Sequence, residues 1–598
     1  MKRIVRLISL LFIVGLLFSC SHLSTVNSVS VILPDDLSSF AAGISARDAA
    51  PVYTFNITVT DSKGKEHNSS GKTGDTVTID ELPLGDTTVD VLVYTEAEIC
   101  TYKGSESVNV KTGDNTVIIN LEFTNVEFKD AAGNNLRTIP VASLKVNDFT
   151  PDDAWCPDGK NFAYWYVDDT EEKVKVTDAE SLAAFEKKIA GDIVLKGKYV
   201  TDGTVINFWH LDTTDDQQAA WRQIADNFER DNPGVTVNIT CLENVPFKQK
   251  IATLAYQGQL PDVFRSWGGG VMLDMAEAGL LKDITASVKK GYISKIGKGA
   301  MGIYGSGDTL YGVPYSMGIV GLWYNKAVFA DCGLTEADFS TWDKFLASCA
   351  VLKNKGYAPV ALGGAEAWAV QYWWTYLGQR LGGEQGFLDA YNGTNGGAFN
   401  KGPFLDAMNM LSDFVATEPF QENFIDASQN EQEALVADGY AAMTLMGQWA
   451  PSTGRNNAIT EAGQNAEFGL MLFPSVAGGK DLQKNAQGGG DGYIISKDAP
   501  EEAVDFLKSL YEPENYKIIV ERLNACPVIP GYEDLLSKDM AEVVEAVSNA
   551  EYFQLYYDQF FPTAVGQAIY EAVQAVIIGD ATAKEACDYI QECWEANK

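Results

Sequence analysis

Histidine is almost missing from this chain: His22, His67 and His210 are the only three in 598 residues. No HExxH pair is present, and a Ser-His-Asp triad has few candidates for its base. No G-x-S-x-G nucleophile elbow occurs. The glycine-rich stretch AQGGGDGY, 486 to 493, lacks the Lys-Ser/Thr of a phosphate loop and reads as a turn before a strand. Positive charge is also scarce. Lys and Arg number 45 against 81 Asp and Glu, a formal net charge of −36, and such a surface repels phosphate backbones. Cysteines are scattered, with no CxxC and no metal-ligand spacing. Cys100, Cys156, Cys241, Cys332, Cys349, Cys526, Cys587 and Cys593 read mostly as small buried apolar residues, and no pairing follows from their positions. After the first twenty residues no apolar run reaches membrane-spanning length. These absences argue against nucleic-acid, metal and cofactor partners and against hydrolase chemistry. Carboxylates are abundant, so counting alone leaves a two-carboxylate glycosidase open.

The amino terminus is built differently. Lys2, Arg3 and Arg6 precede an apolar run from Leu7 to Phe18, the form of a signal peptide. The run ends Leu17-Phe18-Ser19-Cys20, which resembles the bacterial lipobox. That resemblance implies acylation of Cys20 after cleavage, and membrane anchoring through acyl chains at about 0.8 kcal/mol per buried methylene. Everything after Cys20 is then expected outside the cytoplasmic membrane, in the periplasm or at the cell surface.

Residues 21–50 are Ser- and Ala-rich and read as a tether, with room for one strand at Val29 to Leu33. Residues 51–125 alternate with period two. Tyr53, Phe55, Ile57 and Val59 are followed by Val89, Val91 and Val93, then Val117, Ile119, Leu121 and Phe123. Short strands between Gly, Asp and Asn turns predict an antiparallel sandwich. Residues 126–200 form a second small β-rich stretch, with Trp165 and Tyr166 read as core. Its pieces VEFKDAAGNNL, FAYWYVDD and IAGDIVLKGKYV resemble the repeat of listerial and Bacteroides surface proteins, which implies an extracellular spacer.

From residue 201 to 598 the pattern becomes strand and helix in alternation. VINFW, VTVNIT and PDVFRSW read as strands separated by amphipathic helices, the signature of parallel α/β structure. Along this segment YQGQLPDVFRSWGGG, EAGLLKDIT, LYGVPYSMGIVGLWYNKAVF, TWDKFLASCAVLKNKGYAPVAL, GYAAMTLMGQWAPST, GDGYIISKDAPEEAVDFLKSL and IIGDATAKEACDYIQE follow in order. The segment resembles family 1 bacterial extracellular solute-binding proteins, the carbohydrate-capturing subunits of ABC importers. The resemblance implies two small all-β modules followed by a two-lobed α/β fold of the type II periplasmic-binding-protein kind. It implies a first lobe crossing near 312–320, a carbohydrate in the interlobe cleft, hinge closure, and permease subunits as partners.

A pyranose has an apolar C–H face and a rim of hydroxyls. Indole covers the first, and carboxylates accept from the second. The stretch GGAEAWAVQYWWTYLG, 363 to 378, places Val370, Trp374, Leu377 and Leu381 on one helical stripe, read as core. Trp368, Tyr372 and Tyr376 run on nearly the opposite side, with Trp373 between the two sets. Trp368 also matches the family's Glu-x-aromatic turn, here beginning at Glu366. Other expected ligand contacts are Trp209 and His210 at the end of the first strand, Asp212 in the loop after it, Trp267 before three glycines, Trp449 in MGQWAP, and Asp491. Asp262, Trp221, Trp323, Tyr324 and Trp342 read as structural.

Two positions depart from the family's maltodextrin binders. Gly318 stands where some of those carry an acidic ligand residue, and Gly566 or its neighbours stand near a further stacking tryptophan. An oligosaccharide other than maltodextrin, or a shorter sugar, is the expected ligand. The rival readings are a surface adhesin working through the β modules, a glycoside-acting enzyme, and an ion receptor using Tyr556 and Tyr557.

Overall fold

The computed structural model describes residues 27–34, 37 and 53–598. The signal segment, Cys20 and most of the tether lie outside the described residues. The chain divides into two compact units, one of residues up to 156 with 164–168 and 173–198, the other of 157–163, 169–172 and 199–598.

Alternation builds the first unit. Every second residue of Thr54–Thr60 and Gly85–Tyr94 is buried, so Phe55, Ile57 and Val59 join Val89, Val91 and Val93 in one core. A five-stranded sheet and a three-stranded sheet share that core. The strand Ser28–Ile32 lies within the stretch read as tether, yet it is the middle strand of the smaller sheet. It pairs antiparallel with Thr76–Ile79 and parallel with Asp114–Val117. Val29 and Val31 are buried in this core, which is why the strand is held. A third sheet follows, in which Asn125–Lys129 pairs antiparallel with Asn135–Pro140 and parallel with Ile193–Thr201. Trp165 is buried edge-on to Phe128 at 5.1 Å, and its indole N–H donates to the Phe149 carbonyl at 2.8 Å.

The second unit opens with the expected alternation. β1 (Thr204–His210) leads to α1 (Asp215–Asp231), β2 (Val235–Cys241), α2 (Asn244–Gln257), β3 (Val263–Ser266) and α3 (Gly269–Glu277). β1 pairs parallel with β2 and β3. Asp262 fastens this edge, accepting from the backbone and side-chain nitrogens of Asn207 at 2.8 and 3.0 Å.

Two long strands then carry the chain between halves. β4 (Gly312–Asn325) pairs antiparallel with β8 (Ala486–Ile495) along residues 312–320. Beyond that point β4 pairs with β6 (Ala441–Met446) and β7 (Phe468–Met471). β5 (Ala358–Val360) extends the sheet beside β6, and β9 (Phe553–Leu555) pairs parallel with β8. The resulting order is β2-β1-β3-β8-β4-β6-β5. One half keeps its core around Phe208, Trp221 and Phe506, the other around Trp323, Trp342 and Trp373.

The stretch AQGGGDGY is not a turn; it lies inside β8. Side chains cannot be placed there, because a Cβ at Gly488 would meet the Gly318 carbonyl at 2.0 Å and one at Gly489 the Tyr556 ring at 2.7 Å. The glycines let another backbone and an aromatic ring approach the crossing strand. The helix α4 (Ala367–Asn392) also departs from the two-sided reading. It is central, and Tyr376 is fully buried, stacked on Phe473 at 4.8 Å and donating to the Val320 carbonyl at 2.5 Å. Every residue from 369 to 380 is buried, so this part of the helix has no solvent stripe for Tyr376 to occupy.

Candidate ligand cleft

A cleft of about 460 Å³ opens within the second unit. Its walls come from loops and helix starts at strand ends. The loop after β1 supplies Asp212, α2 supplies Lys248, β3 and its exit supply Arg265 and Trp267, and the crossing strands β4 and β8 supply Tyr315 and Asp491. The other half supplies Trp368 and Tyr372 from α4, and Gln448 and Trp449 at the start of α6 (Ala450–Asn457), which follows α5 (Gln429–Ala437). Tyr556 and Asp558 come from the segment around α7 (Tyr557–Phe560), ahead of α8 (Thr563–Ile578).

The aromatic wall is continuous. Trp368 lies 6.2 Å from Trp449 and 6.3 Å from Tyr372, and Tyr372 lies 5.8 Å from Tyr556. Trp267 packs with the first half's cluster and faces the same space. The Lys248 ammonium stands 4.9 Å over the Trp267 ring and 5.7 Å over Trp368, so indoles from both halves meet around one group. Trp449 folds back over Gly447, where a Cβ would meet its ring at 2.2 Å; only glycine leaves that room.

Beside Trp267 sits a buried ionic cluster, with the Arg265 guanidinium 6.0 Å from that ring. Arg265 pairs with Asp491 at 2.7 Å, donates to the Tyr315 hydroxyl, and comes within 4.0 Å of Asp212. Burial opposes its charge, but Asp491, Tyr315 and Asp212 more than offset this and hold it protonated well above the usual range. Asp212 accepts from the Trp221 indole at 2.7 Å, and Asp491 accepts from the Gln448 amide at 3.1 Å. Asp558 accepts from the amides of Gln371 and Gln559 at 2.9 and 2.6 Å and from the Tyr570 hydroxyl. Three carboxylates are thus held in fixed orientation with charge toward the cleft.

Six sequence-expected residues line this space: Asp212, Trp267, Trp368, Tyr372, Trp449 and Asp491. Three stand outside the lining. Trp209 points to the opposite face of β1 from His210 and packs in the cluster with Phe247 and Ile251 of α2. The Lys250 ammonium lies 5.2 Å over its ring. His210 is fully buried, stacked on Phe208 at 5.7 Å, and its Nδ1 accepts from the Asp212 backbone N–H at 3.2 Å. Burial, with Arg265 adding to it, pushes its pKa down to about 4, although Asp212 pulls the other way. Glu366 accepts from the Trp368 indole at 2.8 Å and from the Gln429 backbone at 3.4 Å. It positions the tryptophan rather than facing the cleft.

Arg265, Lys248, Gln448 and Asp558 were not singled out in the sequence, and Tyr556 was noted only with Tyr557 as a pair an ion receptor would use. Arg265 carried a usable signal: it is the one charge inside the strand-forming run VFRS. Gly318 and Gly566 also have structural explanations. A Cβ at Gly318 would meet the Gln448 side chain at 1.9 Å, so Gln448 fills that space; one at Gly566 would meet the Asp558 carbonyl at 3.0 Å.

Two halves are joined by crossing strands, with an aromatic and carboxylate-lined cleft between them. The chain belongs to the bacterial extracellular solute-binding protein family, whose profile matches residues 212–517. It is 26% identical over 286 residues to the multiple sugar-binding protein of Streptococcus mutans, covering 45% of this chain and 63% of that one. It is 28% identical over 282 residues to an ABC transporter extracellular-binding protein of Pyrococcus horikoshii, covering 45% of this chain and 60% of that one. The chain therefore spans less than two thirds of the length of these curated relatives. The solved structure of a chitin oligosaccharide binding protein shares the fold at a TM-score of 0.60 and 23% identity, over 66% of this chain and 99% of that one.

Proposed function

We propose that this protein is a lipid-anchored extracytoplasmic receptor that captures an oligosaccharide in the cleft and delivers it to an ABC importer. The observation that carries the reading is the convergence of Trp267, Trp368, Tyr372 and Trp449 on one space, beside carboxylates already fixed by internal donors. Indole faces cover the apolar side of a sugar ring. Asp212, Asp491 and Asp558 accept from hydroxyls without first having to be ordered, which lowers the cost of binding. A volume of about 460 Å³ lies within the ordinary range of small-molecule sites. The sugar-binding relatives support the ligand class, and acylation at Cys20 would supply the anchor. The halves close on the ligand as a hinge about the crossing strands, and the closed form is what the permease recognises. The β-rich first unit acts as a spacer.

Titration calorimetry against a glycan panel tests this. At least one neutral oligosaccharide is expected to bind. Trp368→Ala and Trp267→Ala are each expected to weaken it by roughly tenfold or more, the order of one lost aromatic platform. Unchanged affinity in both variants overturns the cleft as the binding site.

A further inference from the structure

Lys248 reaches into the cleft from α2. Its ammonium lies between the Trp267 and Trp368 faces, one indole from each half of the unit. Among the described residues it has no hydrogen-bond or ion-pair partner. Asp558 and Glu366 act on it only from a distance, and burial pushes it below the ordinary lysine range. The ammonium keeps its donors free for a ligand on the cleft side.

The chemistry facing it selects what can sit there. An ammonium only donates and a carboxylate only accepts, whereas a hydroxyl does both. A ligand hydroxyl beside Lys248 can accept from its ammonium and donate to the Asp558 carboxylate. A ligand ammonium at that point brings a second positive charge against the first, with no lone pair to accept. A ligand carboxylate at that point offers no donor to Asp558 and meets the negative charge of Asp558 and Asp491. Discrimination comes from repulsion as much as from fit. Building on the receptor reading above, we propose that Lys248 is a specificity-determining ligand contact. Together with Asp558 it restricts the Trp267–Trp368 subsite to neutral, hydroxyl-bearing pyranoses.

The test uses the full chain and its Lys248→Met variant, with thermal melts confirming that both fold. The calorimetric probes are lactose, raffinose, xylotriose and triacetylchitotriose, with chitosan trimer and an aldotriouronic acid as charged counterparts. Wild type is expected to hold a neutral sugar at least about tenfold tighter than its charged counterpart. Lys248→Met is expected to weaken the neutral sugar by about 10- to 100-fold, the range for losing a hydrogen bond to a charged group, and to narrow the gap to the amine. A neutral sugar bound equally by both proteins overturns this inference alone, as does a preference for the charged sugar. Failure of every sugar to bind overturns the receptor reading and this one with it.

Discussion

At the residue scale the second unit carries its charges in unequal surroundings. Glu433 of α5 is fully buried behind Trp449, with Gln429 donating to it at 3.0 Å. Burial lifts its pKa to about 8, outweighing the hydrogen bonds that favour the charged form. An acid whose folded pKa is raised contributes its stability fully below the unfolded value, near 4.5, and loses it as pH rises toward about 8. Glu433→Gln keeps the shape and removes the titration. In urea unfolding the variant is expected to gain on wild type between pH 5 and pH 8, by on the order of 2–4 kcal/mol. An identical pH dependence for both proteins contradicts that assignment. Arg265 tests the opposite case, a charge kept by its partners. Arg265→Met strands Asp491 and Asp212 without their cation and is expected to cost about 3 kcal/mol in the same assay.

At the scale of elements, packing across β8 decides what its glycines do. Gly488→Ala drives a Cβ into the Gly318 carbonyl, and the expected loss is roughly 3 kcal/mol or more, seen as a lowered melting temperature. Gly299 sits in the short helix Lys298–Gly302 with nothing within 4 Å of its would-be Cβ. Gly299→Ala is expected to stabilise by about 0.5–1 kcal/mol. The contrast also explains what could be read in advance. Alternation of strand and helix is local periodicity, so β1 through β3 were legible from the chain alone. The three glycines of β8 were misread as a turn because the reason for them lies in β4 and Tyr556, both distant in sequence. Trp209 and Trp267 both follow strand-forming runs, and nothing local separates them. The difference is that both rings pack against α2 but only Trp267 also reaches the cleft. Lys248 and Asp558 matter only through neighbours brought by the fold, and no spacing announces that.

At the scale of the whole molecule, each unit has its own core. Ligand affinity is therefore expected to reside in the second unit. Deleting residues 21–123, which carry the two sheets of the first core, should leave the affinity for the panel's best sugar within about threefold by calorimetry, a change under 1 kcal/mol. A complete loss would favour an adhesin working through the β-rich region. Scattering curves with and without that sugar are expected to differ, the bound form being more compact as the halves close.

The Gln448 amide fills the space beside Gly318 and ties into Asp491. Any redesign of the ligand preference that starts by adding an acidic side chain at 318 will fail on its own. The order of changes matters: position 448 must be shortened first, and that step strips Asp491 of a donor. Neighbouring specificities are separated by an intermediate worse than either endpoint, so this pocket is expected to resist retuning by single substitutions and to yield only to paired ones.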